Sequence, residues 1–293
     1  MDDYKYIFLG GVPKSGTSSL FDMLGQIPEI TPSEPKETFY LIDNDYIIQK
    51  DKNYFKHGWS VFNDFFTDKK NKIRLEGTTH LIYQNEIIPV LKELDAYFIF
   101  ILRSPEERIR SSFEYSMNNL ASFNKRISFS DFVDIFLNHP ETIVKFASRK
   151  NALKNLAQGK GIADYPTLIN KWKAQIPEER VFIIDYDFFK TNPQETLKRL
   201  MAIICPNVNI PDIAISKNNK TKYIKSTHLH NWLRGLNRKT SNSPLKRMIK
   251  KVYFKIQGKN KSKSVTDEAA LQKLKNAFDF NYKELCDKSF TLK

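Results

Sequence analysis

The sequence predicts an α/β fold in which a parallel sheet is flanked by helices. Short apolar runs alternate with helical patterns along the first two thirds of the chain, and the run at residues 97–102 (YFIFIL) is unbroken. An unbroken run of this kind is typical of a central parallel strand that is covered on both faces. The alternation itself favours parallel pairing, because parallel strands need crossover connections.

The elements can be placed in chain order from these patterns. The predicted strands span residues 6–9, 73–75, 97–102 and 181–185. The helices that follow them span residues 17–24, 86–94, 105–118 and 194–204. Residues 128–174 are mainly helical in pattern and predict a lid or a helical insert. Ligands of such folds gather at the carboxyl ends of the strands.

Length and composition favour one folded domain. The chain has 293 residues, of which 41% are hydrophobic and 13% aromatic. This composition excludes wholesale disorder, because such a chain can bury enough apolar surface to offset its ordering entropy. We predict a single domain over residues 1–293, with a core at about residues 5–205 and a basic, helical C-terminal extension at about residues 216–293.

The cysteines and the N-terminus bear on the compartment. Cys205 and Cys286 are too few and too far apart to suggest a disulfide framework or a tetrahedral metal site. The chain opens on Met1 without a basic and apolar leader, and no apolar run reaches the length of about 20 residues that spans a bilayer. We expect a cytoplasmic protein, with a peripheral position at the inner membrane face as the second expectation.

The positive charge is concentrated in one stretch. The formal net charge is +14, and residues 217–263 hold 15 of the 47 lysines and arginines but none of the 33 acidic residues. A stretch of this kind is typical of a surface that binds anions. From Pro244 onwards its apolar residues share one helical face: Leu245, Ile249, Val252 and Ile256. That face predicts a helix that docks either on the core or on an anionic membrane surface.

A phosphate-binding loop is predicted between the first strand and the first helix. There, backbone N–H groups and the positive end of a helix converge on an anion. The lysine, the glycine and the hydroxyls of the loop are Lys14, Ser15, Gly16, Thr17, Ser18 and Ser19. The fold is therefore P-loop-like. A nucleoside triphosphatase, however, places Gly-Lys before its Ser or Thr, whereas the order here is Lys-Ser-Gly-Thr.

A second phosphate element follows the strand at residues 97–102. Arg103 stands at the strand end, and Ser111 lies about two turns into the next helix. A guanidinium can bind phosphate in a bidentate fashion, and a hydroxyl at this separation can reach the same group. We expect Arg108 and Arg110, on the same helix, to be exposed.

The two elements together resemble a known family. Pro-Lys-Ser-Gly-Thr is similar to the 5′-phosphosulfate loop of sulfotransferases that use 3′-phosphoadenosine 5′-phosphosulfate (PAPS), and FILRSPEERIRSSFEY is similar to their 3′-phosphate segment. The resemblance covers about residues 5–205 and is closest to the heparan-sulfate-type and bacterial carbohydrate sulfotransferases. It implies PAPS as co-substrate, 3′-phosphoadenosine 5′-phosphate (PAP) as product, no metal, and a catalytic as well as a binding role for Lys14.

The resemblance extends to the catalytic base. Pro35-Lys36-Glu37 resembles the family's Lys-Glu segment, whose glutamate is the base, and this implies that role for Glu37. His80 is the competing candidate, because it follows a predicted strand near the same site. The chain departs from its relatives at Gly77 and Thr79, where lysine and proline are usual, and at Phe39, where many relatives carry a polar residue.

The implied acceptor is a glycan, a glycolipid or a lipo-oligosaccharide, in that order of preference. Two other functions are kept as alternatives. A P-loop kinase would use the same kind of loop with ATP and magnesium. A nucleic-acid-binding protein would use the basic stretch and its aromatic residues, but that reading leaves both phosphate elements unexplained, so nucleic acid is not an expected partner.

Overall fold

The computed structural model describes residues 4–48, 51–68, 70–148, 152–213 and 265–292. Its centre is a five-stranded parallel sheet of order β2-β3-β1-β4-β5. The strands are β1 (Lys5–Gly11), β2 (Ile30–Pro32), β3 (Ile73–Glu76), β4 (Ala96–Leu102) and β5 (Val181–Asp185). The predicted α/β class and the four predicted strands are confirmed. The fifth strand, β2, was not predicted from the sequence.

Hydrophobic side chains explain why β1 and β4 lie at the centre. Almost every residue of both strands is buried. In the parallel register Phe8 is paired with Phe98, and their rings stack with centroids 5.4 Å apart. Strands covered on both faces need apolar residues at odd and even positions alike, and this requirement produces the unbroken run of β4.

Nine α-helices are found among the described residues. They are α1 (Thr17–Leu24), α2 (Tyr54–His57), α3 (Ile88–Lys92), α4 (Pro105–Glu114), α5 (Phe129–Asn138), α6 (Tyr165–Lys173), α7 (Tyr186–Thr191), α8 (Pro193–Ile204) and α9 (Val265–Asn276). A π-helix, Tyr115–Asn119, continues α4. Short 3-10 helices include Leu81–Tyr83, Pro140–Phe146, Leu156–Ala163 and Tyr282–Leu285. The helices predicted after the strands and within the insert are therefore present, with shorter bounds for α3.

The described residues divide into two compact units. The first comprises residues 4–104, 163–213 and 279–292, with the gaps noted above, and contains the whole sheet. The second comprises residues 105–162 and 265–278. The sequence predicted a single domain for the whole chain. The division into two compact units does not test that assignment, which stays a prediction.

Both faces of the sheet in the first unit carry helices. On one face α1, α7 and α8 bury a continuous apolar cluster against β1, β4 and β5. On the other face Trp172 of α6 packs against Phe98 and Phe100, with ring centroids 5.2 and 5.1 Å away. The indole N–H of Trp172 donates to the carbonyl of Ile82, so this buried polar group is satisfied.

The end of the chain belongs to the first unit. Asp287 pairs with Ile183 of β5 in both directions: its N–H donates to the Ile183 carbonyl, and its carboxylate accepts from the Ile183 N–H, each at 2.9 Å. Phe290 packs against Phe182 and Phe188. These contacts satisfy part of the open edge of β5.

The second unit is built on α4, α5 and α9, which pack on one another. Phe113, Phe132 and Phe136 form part of its aromatic core. The expectation that Arg108 is exposed is wrong. Arg108 is fully buried, and its Nη1 donates to the carbonyl of Ile162 at 2.7 Å, which compensates one of its buried N–H groups.

Three further predictions concern the basic stretch, the cysteines and the membrane. The basic stretch at residues 217–263 and its predicted helix lie outside the described residues. Cys205 and Cys286 are both free and buried thiols. No helix in the described part of the chain is long and apolar enough to cross a membrane.

Candidate active site

The loop between β1 and α1 has a backbone shaped for an anion. Lys14 and Gly16 both have positive φ values, 72° and 82°. Gly16 is the N-cap of α1 and provides no side-chain cap. A Cβ at Gly16 would lie 3.1 Å from the ring of Phe189 and 3.3 Å from that of Tyr186, so both conformation and space require glycine here.

The polar groups of this loop converge on the start of α1. The Ser15 side chain is fully buried, and its Oγ has no hydrogen-bond partner among the described residues. Thr17 is also buried, whereas Ser18 and Ser19 are half-buried. A buried hydroxyl without a partner is costly, and the first-turn N–H groups of a helix have no intrahelical acceptor. The loop therefore fits a phosphate-type anion.

Two cations lie at this loop. Arg103, at the end of β4, donates from Nη1 to the Lys14 carbonyl at 3.3 Å, and its guanidinium carbon lies 4.9 Å from the ring centroid of Tyr186. The hydroxyl of Tyr165 donates to the Arg103 carbonyl at 2.9 Å. Burial and, secondly, the charge of Arg103 lower the pKa of Lys14 to about 8, with Glu37 opposing this shift. The pair has the electrostatics of an anion receptor.

A buried carboxylate connects two segments beside the loop. Glu76, the last residue of β3, is 1% exposed and accepts from the backbone N–H and the hydroxyl of both Thr38 and Thr78, at 2.5 to 3.0 Å. Burial raises the pKa of Glu76, and these hydrogen bonds oppose the shift. Thr78 also accepts from the N–H of Phe39, whose φ is +52°. Glu76 thus ties the segment that carries Glu37 to the end of β3.

Glu37 is held by this arrangement. Its Oε1 accepts from the Thr79 hydroxyl at 2.6 Å and lies 3.6 Å from Nζ of Lys36. Its side chain is 36% exposed. The charge of Glu37 opposes the lowering of the Lys14 pKa by burial and by Arg103. Three of the predicted site residues, Lys14, Arg103 and Glu37, therefore interact through their charges.

His80 lies next to Thr79 in an aromatic group. Its Nδ1 is 2.8 Å from the hydroxyl of Tyr46, and its ring centroid lies 5.6 to 5.9 Å from those of Phe39, Tyr46 and Tyr83. All four side chains are half-buried. The contact with Tyr46 fixes the orientation of the His80 ring, as a catalytic base requires. Both Glu37 and His80 therefore remain candidates for the base.

Ser111 lies on α4 and is half-buried. It belongs to the second unit, so its expected pairing with Arg103 of the first unit stays a prediction. Among the described residues, no group of three or more His, Cys, Asp and Glu side chains is arranged to hold a metal ion.

Sequence reasoning missed several side chains that shape the site. Tyr165 and Tyr186 flank Arg103, and Glu76 fixes the position of Glu37 through Thr38 and Thr78. For Glu76 there was a signal: an acidic residue that closes a buried strand and precedes Gly-Thr-Thr. For the two tyrosines no local pattern indicated a role, because they come from α6 and α7.

Comparison with known proteins identifies the family. The sulfotransferase domain family matches residues 5–288, so the chain belongs to that family. A sulfotransferase from Alicyclobacillus acidocaldarius has a similar structure, with a TM-score of 0.56, 16% identity and coverage of 93% of this chain and 96% of that chain. Its likeness supports the fold.

Two further solved structures are more distant. A mouse sulfotransferase complexed with PAP matches with a TM-score of 0.43 and 18% identity, covering 72% of this chain and 60% of that chain. A sulfotransferase domain from the curacin biosynthetic pathway matches with a TM-score of 0.42 and 13% identity, covering 92% of this chain and 97% of that chain. A comparison with curated proteins finds no significant match.

Proposed function

We propose that this protein transfers a sulfuryl group from PAPS to a hydroxyl or amine of a carbohydrate-type acceptor. The observation that carries the proposal is the loop itself, where Lys14 and Gly16 turn the backbone at the start of α1 and Arg103 lies against the Lys14 carbonyl. This loop fits a 5′-phosphate. Family membership favours sulfuryl transfer over the kinase and nucleic-acid alternatives.

The donor supplies an activated sulfuryl group, and the chain binds, aligns and neutralises it. The N–H groups and hydroxyls from Ser15 to Ser19 would hold the 5′-phosphate. Lys14 would stabilise the bridging oxygen as it becomes a phosphate oxygen. Arg103 and Ser111 would bind the 3′-phosphate. Displacement forms a bond between the acceptor oxygen and sulfur and breaks the bond between sulfur and the bridging oxygen, which leaves with PAP.

Glu37 would accept the acceptor proton. Its carboxylate is partly exposed, interacts with the charge of Lys14 and is held by one oxygen, which suits a base that must face both donor and acceptor. His80 is the second candidate, one residue from Thr79 and oriented by Tyr46. Replacing each one separately distinguishes them, as discussed below.

The aromatic group around His80 supports a ring-bearing acceptor. Phe39, Tyr46 and Tyr83 are half-buried beside His80, one residue away from the partner of Glu37. Rings of this kind pack against the apolar faces of sugars, while their hydroxyls and the imidazole contact sugar hydroxyls. We therefore propose a glycan first, and then a glycolipid or a lipo-oligosaccharide.

Docking on an anionic membrane remains part of the proposal. It rests on the charge of residues 217–263 and the apolar spacing after Pro244 alone. Co-sedimentation with anionic vesicles at low salt tests it, and Lys250→Glu with Lys251→Glu should abolish binding. Binding that survives this reversal, or no binding by the unaltered protein, rejects it.

Labelled PAPS tests the enzymatic proposal. The protein is incubated with pooled glycans and glycolipids, and product mass is read for a gain of one sulfuryl group. The Lys14→Ala variant is the control for donor dependence. A protein that binds PAP but labels no carbohydrate would refute the acceptor class, and one that fails to bind PAP would refute the donor assignment.

A further inference from the structure

The side chain of Lys36 crosses the backbone at Gly77. Its Nζ donates to the Gly77 carbonyl at 2.9 Å, and the Gly77 N–H donates to the Lys36 carbonyl at 3.0 Å. The ammonium also lies 5.5 Å from the ring centroid of Phe21. A Cβ at Gly77 would lie 2.7 Å from Phe21 Cδ2 and 3.0 Å from Lys36 Cγ. The absence of a side chain at Gly77 is what makes room for Lys36.

Lys36 and Thr79 approach the same oxygen of Glu37. The Thr79 hydroxyl donates to Oε1 at 2.6 Å, and Lys36 Nζ lies 3.6 Å from that atom. The other oxygen, Oε2, has no hydrogen-bond partner among the described residues. A carboxylate held on one side by a neutral donor and a cation has a fixed orientation and one oxygen left for a ligand.

Cations and carboxylates surround the contacts that Lys36 and Thr79 make with Glu37. Lys36 lies beside it on the same segment, and Lys14 acts on it from the phosphate loop. Glu76 of β3 and Asp22 of α1 also act on Lys36. Burial lowers the pKa of Lys36, and these carboxylates, with Glu37 first, oppose the shift. The Lys36 side chain is 21% exposed, and its acidic neighbours oppose the effect of burial on its charged form.

We propose that Lys36 and Thr79 are positioning residues for the transfer: they hold Oε1 of Glu37 so that Oε2 is the oxygen that takes the acceptor proton. This inference rests on the proposed role of Glu37 as the base. The acceptor O–H bond breaks, its proton goes to Oε2, and the acceptor oxygen bonds to sulfur as the bridging S–O bond breaks. Lys36 and Thr79 exchange no proton in this step.

The central test asks whether Lys36 acts through Glu37. Turnover is measured as label transferred from PAPS to the pooled acceptors and, with water as acceptor, as PAP formed. Lys36→Met keeps an unbranched side chain of similar length and should lower turnover by about ten- to a hundredfold, because the base loses its alignment. In a Glu37→Gln background the same Lys36→Met change should cost nothing further, since residues that act as a unit are not additive.

Calorimetry with PAP separates positioning from donor binding. PAP affinity should be unchanged in Lys36→Met, and a thermal unfolding transition should show that the variant is folded. Thr79 supplies a second and independent pair of variants. Thr79→Val, which removes the hydroxyl, should lower turnover, whereas Thr79→Ser, which keeps it, should retain most of it. This pair decides the question if Lys36→Met does not fold.

Each outcome has one meaning. If Glu37→Gln loses about 10² to 10⁴ in turnover, but Lys36→Met lowers turnover by the same factor with and without Glu37, Lys36 acts independently. The inference is then overturned while the base assignment stands. Full activity of both Lys36→Met and Thr79→Val overturns it in the same way. If Glu37→Gln itself keeps full turnover, the base assignment fails, and the positioning role fails with it.

Discussion

Binding of PAP should be coupled to protonation of Lys14. Burial and Arg103 lower the pKa of Lys14 to about 8. A bound phosphate places negative charge beside the ammonium and raises that pKa in the complex. Because the pKa is higher in the complex than in the free protein, affinity is fully present below about pH 8 and falls as the pH rises above it.

The size of the effect follows from the free-protein pKa. At pH 8 about half of the Lys14 side chains are neutral, so binding should take up about half a proton. At pH 9 about one tenth are protonated, and the affinity should be about tenfold lower than at pH 7, which corresponds to about 1.4 kcal/mol. The phosphates of PAP are already ionised in this range, since their second pKa is about 6.

Isothermal titration calorimetry of PAP measures this coupling. Titrations at pH 7, 8 and 9, each in two buffers with different ionisation enthalpies, give the number of protons taken up. Lys14→Arg is the matched control, because a guanidinium stays charged throughout and should abolish the uptake while keeping a cation. Flat affinity from pH 7 to 9, or the same uptake in Lys14→Arg, would refute the assignment of Lys14 to the phosphate site.

Three further predictions concern the site. Arg103→Ala should weaken PAP binding by about 1.5 to 3 kcal/mol in calorimetry, because a charge-assisted contact is lost, and unchanged affinity in a folded variant would contradict this. Glu37→Gln should keep PAP binding but lose about 10² to 10⁴ in turnover, with a smaller loss for His80→Ala; the opposite order exchanges their roles. Gly16→Ala should destabilise the protein by at least about 1 to 2 kcal/mol in denaturant unfolding, because φ is +82° and Phe189 lies against the new Cβ; an unchanged midpoint would show that the loop adapts.

The parts of the fold that the sequence predicted are those with a strong local pattern. β1 and β4 are predicted by their unbroken apolar runs. The loop between β1 and α1 is predicted by the glycine, lysine and hydroxyl residues in one short segment. β2 was missed because it has three residues, the last of them Pro32, and among the described strands it pairs with β3 alone. A strand of that length carries no periodicity that distinguishes it from a loop.

Arg108 shows why burial of a charged residue was not predicted. On a helix with two acidic residues in its first turn, the charge pattern predicts that an arginine belongs to a solvated face. The structure buries it because the carbonyl of Ile162, 54 residues along the chain, accepts its hydrogen bond. Such compensation depends on tertiary packing, and no local pattern encodes it.

The departures at Gly77 and Thr79 acquire a meaning only in three dimensions. In the sequence they are two positions that differ from the family's usual lysine and proline. Nothing in the sequence links them to Lys36 and Glu37, which come about 40 residues earlier. In the structure the segment before Phe39 runs beside the end of β3, where Glu76 accepts two hydrogen bonds from Thr38 of that segment and two from Thr78. Gly77 then admits the lysine of one segment, and Thr79 holds the glutamate beside it.

The C-terminal segment likewise supports Arg103, the residue assigned to the donor, through contacts that the sequence did not predict. The motifs that carried the resemblance end at about residue 205, whereas the family match extends to residue 288. In that later part, Tyr282 donates to the buried carboxylate of Asp185 at the end of β5, directly before Tyr186. Tyr186 is the ring beside Arg103, and Phe280 packs on Tyr165, which holds the Arg103 carbonyl. The side chains that support Arg103 thus rest on residues near the end of the chain. A guanidinium binds phosphate well only when its orientation is fixed, so the geometry of this site depends on a segment that no phosphate motif could identify.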